Sequence, residues 1–238
     1  MKRIWSVAML ATRQVVWKLL LILVVLSALE LGVFWYNIPK GLTLLQFGAL
    51  LDRAKFFWFL RAAIVALFVF QMYQGMDSRG RMNYTLRRLP MGERAVTTIW
   101  ALCHAMTYWV LWAAQLAVVL VCWRLYCMNI EIGPRSLELF TQFYRNEFLH
   151  GLLPMQNYAR GVTNFLMMLT LGFSAAYAGF RTRNRQKIIL PIVTLSMSIN
   201  MISANYRDDI VEGILITYCL VVLGYMIWKI WVNAYEET

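Results

Sequence analysis

The sequence predicts an all-α integral membrane protein, a bundle of six transmembrane helices with both termini in the cytoplasm. Three observations predict this class. Of the 238 residues, 61% are hydrophobic and only 15% are charged, whereas soluble domains carry about 25% charged residues. Apolar runs that can cross a hydrocarbon core of about 30 Å recur along the chain. Lys and Arg cluster beside these runs, as they do in the cytoplasmic flanks of membrane helices.

Six apolar runs are predicted to be membrane spans, and together they form one transmembrane domain, residues 1–238. The first run begins near Val15, contains Glu30 and lacks a small-x-small cleavage site, so it is expected to be a span and not a signal peptide. The fifth contains Pro191 and Asn200, which neighbouring helices can accommodate. A five-span or re-entrant arrangement is the alternative. The predicted limits are about 16–36, 56–75, 97–123, 161–180, 188–205 and 210–232.

The distribution of basic residues predicts the orientation. With the N-terminus inside, fourteen Lys and Arg residues flank the cytoplasmic ends of the spans and eight flank the outer ends. The outer basic residues are largely offset by acidic ones. Because cytoplasmic flanks are enriched in Lys and Arg, the count favours an N-in, C-in topology. The net charge of +11 therefore indicates anionic lipid rather than nucleic acid as the partner.

The connection between the second and third predicted spans is basic and amphipathic. At 100° per residue, Met82, Leu86 and Leu89 share one face of a helix that Pro90 would end. The other face carries the polar and basic residues Arg81, Tyr84, Arg87 and Arg88. Such a helix either lies on the inner leaflet or docks into a cytoplasmic partner, and the pattern favours neither.

The longest outer connection lies between the third and fourth predicted spans, from about Arg124 to Arg160. Aromatic residues three and four positions apart predict an extracellular interfacial helix there, and we expect it to cap the bundle. The pattern consists of the aromatic residues Phe140, Phe143, Tyr144 and Phe148, followed by the apolar Leu152.

Two ionisable residues lie at similar depth in the first two spans, Glu30 and Arg61. Each costs about 2.5–3.5 kcal/mol or more at mid-membrane, so both are candidates for an intramembrane ion pair or for a substrate pathway. A structural role, as a buried ion pair or as a snorkelling arginine that fixes helix packing, is the simpler interpretation. His104 has no second histidine or carboxylate near it in the sequence, so a packing role is favoured over a ligand role.

Patterns typical of catalysis are absent from the sequence. It contains no Gly-x-Ser-x-Gly, no His-Glu-x-x-His and no phosphate-binding loop. The cysteines lack Cys-x-x-Cys spacing, so neither a disulfide framework nor a metal site is predicted. They are Cys103, Cys122, Cys127 and Cys219. We expect that the chain is not an enzyme, and that any ATP it uses is hydrolysed by another polypeptide.

The layout resembles the permease subunits of ATP-binding-cassette (ABC) transporters of the type-2 exporter-like class. The most specific part is the stretch from Tyr84 to Arg94, where that family has a short coupling helix seated in a groove of the ATPase. The resemblance implies contact between the partner and Met82, Tyr84, Leu86, Arg87, Arg88 and Leu89. It also implies an amphipathic elbow helix near Ile4 to Val16. One departure is that the largest outer connection follows span three and not span five.

Further expectations follow from the resemblance alone. The partners would be a nucleotide-binding ATPase subunit, which holds ATP and Mg, and a second permease subunit that is either a copy of this chain or a sister chain. The cargo would be an amphipathic peptide- or drug-like molecule, exported across a bacterial plasma membrane. Two other classes stay open, namely a membrane scaffold or sensor that organises partners or lipid and, with the least support, an integral membrane enzyme.

Overall fold

The described part of the chain is entirely helical apart from its connections. The computed structural model describes residues 2–38, 47–75, 92–129, 141, 144–154, 158–183, 186–201 and 208–232. Within these ranges there is no β-strand. The helices are α1 (Lys2–Asn37), α2 (Phe47–Arg53), α3 (Phe56–Gly75), α4 (Glu93–Asn129), α5 (Glu147–Leu152), α6 (Tyr158–Arg183), α7 (Ile189–Met201) and α8 (Asp209–Val232).

Five of these helices are long and apolar enough to cross a membrane. They are Trp5–Asn37, Phe56–Tyr73, Arg94–Met128, Tyr158–Thr182 and Asp209–Val232, and they coincide with five of the six predicted spans. The remaining predicted span, 188–205, corresponds to α7, which has 13 residues and is about 20 Å long at 1.5 Å per residue. The all-α class and the multi-pass membrane character are therefore confirmed.

Helix α1 differs from the expectation of a separate elbow helix near Ile4 to Val16. It runs without a break over 36 residues, or about 54 Å. Since the hydrocarbon core is about 30 Å thick, a good part of α1 extends beyond it. The apolar and helix-forming residues from Val7 to Val15 continue the pattern of the span, so no local signal ends the helix.

Large apolar side chains cover much of the outer surface of the bundle. Trp17 on α1, Leu120 on α4 and Val221 on α8 are all exposed. A soluble protein rarely exposes contiguous apolar surface of this kind, whereas lipid tails solvate it. The exposed apolar faces are therefore the expected lipid-facing surfaces.

Helix α6 is the centre of the bundle. Within its apolar window, 72% of the residues are buried, compared with 28–44% in the other four long helices. It packs against α3, α4, α7 and α8, while α1 packs against α3 and α4. Every other long helix except α1 therefore takes its position from α6.

Helices α6 and α4 approach each other closely at Gly172. A β-carbon at Gly172 would overlap the backbone nitrogen of Ala105 and would lie 2.5 Å from its Cα. On one side of this contact, the rings of Trp109 and Phe165 stack with their centroids 4.5 Å apart. The pairs 105–172 and 109–165 show that α4 and α6 run antiparallel.

Two short helices, α2 and α5, close the end of the bundle where α3 begins and α4 ends, which we call the capped end. Phe47 of α2 packs its ring against Phe34, Trp123 and Tyr126. The side chain of Asn146 accepts a hydrogen bond from Leu149 N and so caps α5. The interfacial helix predicted from the aromatic pattern is described only in part, since residues 130–140, 142 and 143 lie outside the described ranges.

Replacing Gly172 with alanine should destabilise the bundle, because the added methyl group has no room against the Ala105 backbone. Overpacking of this kind costs about 1–3 kcal/mol. Gly213→Ala in α8 is the matched control, since nothing lies within 4 Å of a β-carbon there and alanine favours helix by up to about 1 kcal/mol. Thermal unfolding of the purified variants should show a lower midpoint for Gly172→Ala only. Equal midpoints would contradict the close packing of α4 on α6.

Candidate functional site

The residues predicted to contact an ATPase lie outside the described ranges. Met82, Tyr84, Leu86, Arg87, Arg88 and Leu89 all belong to the segment 76–91, which joins α3 to α4. Their predicted role stays a prediction. What the structure does place is the pair of helices on either side of this segment.

Glu30 and Arg61 have different partners in the structure. The Glu30 carboxylate is fully buried, and its Oε1 accepts a hydrogen bond of 2.8 Å from Nε2 of Gln115 on α4. Its Oε2 has no hydrogen-bond partner among the described residues. Among the described residues, Glu30 forms no ion pair with Arg61. Glu30 therefore joins α1 to α4 through a carboxyl–amide hydrogen bond.

Arg61 lies against aromatic rings at the capped end of α3. Its guanidinium carbon is 3.8 Å from the centroid of the Phe57 ring and 5.1 Å from that of Trp58. Cation–π contacts of this kind stabilise a cation by about 0.5–2 kcal/mol. Arg61 also lines a cavity.

The cavity has a volume of about 380 Å³, within the range of about 300–1,000 Å³ that is typical of small-molecule sites. Its walls come mainly from α3, α4 and α6, and α2 and α5 contribute at the capped end. The lining residues include Asp52, Lys55, Arg61, Ile64, Tyr108, Leu111, Trp112, Arg160, Asn164, Met168 and Leu171.

Helix α6 presents a graded face to the cavity. Arg160, Asn164, Met168 and Leu171 are spaced by three or four residues, so they share one side of the helix. The face is charged and polar at its capped end and apolar deeper in the bundle. From Arg160 to Leu171 it extends about 16 Å along the helix axis.

The polar residues of this face are held by neighbouring elements. The Nε atom of Arg160 lies 3.8 Å from Oε1 of Glu212 on α8, a carboxylate that is 1% exposed. The amide of Asn164 donates a hydrogen bond of 3.0 Å to the Gly151 carbonyl at the end of α5. Both side chains therefore have defined positions, and Arg160 is paired with a buried carboxylate.

Hydrogen bonds tie the cap to the bundle around the cavity mouth. Trp112 Nε1 donates to the Leu152 carbonyl at 2.9 Å. The amide of Asn146 donates to the Gly48 carbonyl and to Oδ2 of Asp52, both at 3.1 Å. These bonds join α4 to α5 and α5 to α2, so the mouth is built from residues far apart in the sequence.

Tyr108 stands at the deep end of the cavity. It is 2% exposed, and its hydroxyl has no hydrogen-bond partner among the described residues. Leaving a buried polar group without a partner costs about 1–3 kcal/mol.

His104, for which the sequence favours a packing role, is buried, and its Nδ1 has no hydrogen-bond partner among the described residues. It is 1% exposed, lies beside the Trp100 ring, and its carbonyl accepts a hydrogen bond from Thr107. Thr107 in turn accepts one from Gln71 at 2.6 Å, which joins α3 to α4. Outside the spans, partial burial and the nearby Arg160 charge lower the pKa of His150. The described residues contain no group of three or more His, Cys, Asp or Glu that could hold a metal ion.

The sequence reasoning missed Tyr108, Arg160 and Asn164 as site residues. The spacing from Arg160 through Asn164 and Met168 to Leu171 carried a signal, because a polar-to-apolar gradient along one helix face is readable from the sequence. Tyr108 carried none, since its significance depends on an empty space beside it.

The Glu30–Gln115 bond gives a prediction about stability. Gln115→Met should destabilise the chain by about 1–3 kcal/mol, because the buried carboxyl loses its donor. Glu30→Met combined with Gln115→Met should recover most of that loss, since both polar groups are then removed. The measurement is thermal unfolding of the single and double variants in detergent. Additive losses would show that the two side chains do not depend on each other.

Comparisons with known proteins give no relative for this chain. No protein-family model matches it, no curated protein matches it, and no solved structure matches it. Its function is therefore inferred from its own residues and contacts.

Proposed function

We propose that this chain is the transmembrane subunit of an ABC transporter, which exports an amphipathic peptide- or drug-like molecule using ATP hydrolysed by a separate subunit. One observation carries the proposal. Helices α3 and α4, together with α6, form the main walls of the cavity, and α3 and α4 are the two helices joined by the basic, amphipathic segment predicted to contact the ATPase. A push on that segment would therefore act directly on two walls of the cavity.

The cavity and the segment predicted to contact the ATPase are at opposite ends of the bundle. Helix α3 ends at Gly75 and α4 begins at Glu93, so the segment 76–91 connects them at the end opposite the cap. In the proposed cycle, ATP binding closes two ATPase subunits and shifts α3 and α4 against α6. The cavity then changes its access as a two-state population shift.

The proposal includes the finer topology predicted from the sequence. Both termini lie on the cytoplasmic side of a bacterial plasma membrane. The predicted span 188–205, which includes α7, makes the sixth crossing. Pro191 and Thr194 of α7 are buried, and the carbonyl of Pro191 accepts a hydrogen bond from Ser174 of α6. This contact holds α7 against the central helix, as a membrane-embedded segment requires. Two permease subunits would form the complete path.

Purification from the native membrane tests the proposal. The tagged chain in mild detergent should retain, in stoichiometric amount, a soluble protein with a phosphate-binding loop. Leu86→Asp combined with Leu89→Asp should release that protein, because the substitutions put charge on the predicted apolar docking face. Asn83→Asp is the control, since it adds charge to the same segment off that face. The readout is quantitative mass spectrometry of the eluate.

Two outcomes would contradict the proposal. If the double variant retained the ATPase, the segment 82–89 would have no coupling role. If the natural chain retained only proteins without a phosphate-binding loop, in a salt-dependent manner, it would be a scaffold or sensor subunit instead.

A further inference from the structure

The C-terminal ends of α6 and α8 lie side by side at the end of the bundle opposite the cap. Two contacts give the relative direction of these helices. Near the cap, Arg160 of α6 contacts Glu212 of α8. Further along both helices, Tyr177 of α6 interacts electrostatically with Tyr225 of α8. The two helices are therefore parallel, and Tyr177 lies at the level of Tyr225.

Two cations stand at one level on these neighbouring helices. Four residues beyond the two tyrosines come Arg181 of α6 and Lys229 of α8, and four residues advance each helix by the same distance of about 6 Å. The guanidinium carbon of Arg181 is 5.6 Å from the centroid of the Tyr177 ring. The Nζ atom of Lys229 is 5.1 Å from the centroid of the Trp228 ring. An anion at this level would therefore be attracted by both cations.

No carboxylate pairs with Arg181 or Lys229 among the side chains that the structure describes. The ion pair found in that part of the chain joins α6 to α8 at the capped end. Arg181 Nε donates a hydrogen bond of 3.2 Å to the Lys187 carbonyl, and its Nη1 donates to the side-chain oxygen of Gln186. These bonds use two of the five N–H groups of a guanidinium. The other three are suited to a charge-assisted contact with a phosphate.

The charge balance of the chain also favours an anion at this end. The sequence segments that flank the spans there contain fourteen basic residues. They contain four acidic residues, Asp77, Glu93, Glu236 and Glu237. Pairing within the chain therefore leaves most of these basic residues without a carboxylate, and anionic headgroups are their natural counter-ions at a membrane surface.

The surface beside the two cations suits a lipid better than a soluble anion. Tyr225 and Trp228 of α8 are exposed, and their ring centroids are 6.2 Å apart. Tyr and Trp concentrate where headgroups meet hydrocarbon. One turn deeper, Val221 is 64% exposed, on a surface that acyl chains solvate. A molecule with a phosphate and acyl chains would contact the cations and this apolar face together.

We propose that Arg181 and Lys229 bind the phosphate of an anionic phospholipid whose acyl chains lie along the exposed face of α8 around Val221 and Tyr225. The inference goes beyond the proposed function and does not rest on it. It requires only that the chain spans a membrane, so the lipid is selected whether or not an ATPase is bound.

Native mass spectrometry of retained lipid tests the site. The purified full-length chain in mild detergent is offered equal amounts of phosphatidylglycerol and phosphatidylcholine with identical acyl chains. It should retain phosphatidylglycerol about tenfold or more in excess, because each cation near a headgroup contributes about fivefold. Lys229→Gln should lower the retention ratio by about threefold to fivefold. Arg181→Gln combined with Lys229→Gln should lower it by about tenfold or more, whereas Arg181→Lys should keep most of it.

A matched pair of substitutions at the capped end is the control. Arg53→Gln combined with Arg124→Gln removes the same charge from two exposed positions and should change the retention ratio by less than about twofold, because neither cation lies near the proposed site. Size-exclusion profiles verify that each variant is folded. Raising the salt concentration should weaken the preference of the natural chain for phosphatidylglycerol.

Three results would overturn the proposal: equal retention of the two lipids, an unchanged ratio in the double variant at Arg181 and Lys229, or an equal fall in the control. The first two would exclude an anionic-lipid site at these cations, and the third would show a general effect of net charge. If the double variant kept its lipid preference but lost a soluble protein from native membranes, the two cations would bind protein instead. Copurification of an ATPase is scored separately, so failure of the lipid site and failure of the transporter role are distinguishable.

Discussion

The close packing of α4 on α6 is the contact on which the rest of the bundle depends. Lipid tails are as apolar as the helix surfaces, so helices in a membrane associate through close van der Waals contact where small residues allow it. Gly172 and Ala105 provide that contact. It sets Tyr108 at the level of Met168. Both residues line the cavity, so this register determines which side chains of α4 and α6 share its walls.

Polar side chains inside the bundle form hydrogen bonds between helices. Gln71 of α3 bonds to Thr107 of α4, and Gln115 of α4 bonds to Glu30 of α1. The charged lining residues Asp52, Lys55 and Arg160 lie at the capped end. This separation lets one cavity offer charge at its mouth and hydrocarbon in its depth, which is the property that an amphipathic cargo requires.

Much of the fold could be predicted from the sequence because apolar length is a local property. The run 56–75 coincides with α3, and 210–232 lies within α8. Helix α2 was not predicted, since its seven residues are stabilised by distant rings such as Trp123. The similar depths of Glu30 and Arg61 permitted a pair. Depth does not specify which helix face a residue occupies, and Gln115, in a helix distant in sequence, became the partner of Glu30. The cavity could not be predicted for the same reason.

We propose that an ATPase at the end opposite the cap drives this helical membrane subunit. Native mass spectrometry of the complex from its own membrane tests this proposal directly, because the spectrum reports the protein composition of the complex. Two permease chains with two ATPase subunits are expected. A chain that appears alone, or only with proteins lacking a phosphate-binding loop, would contradict the proposal.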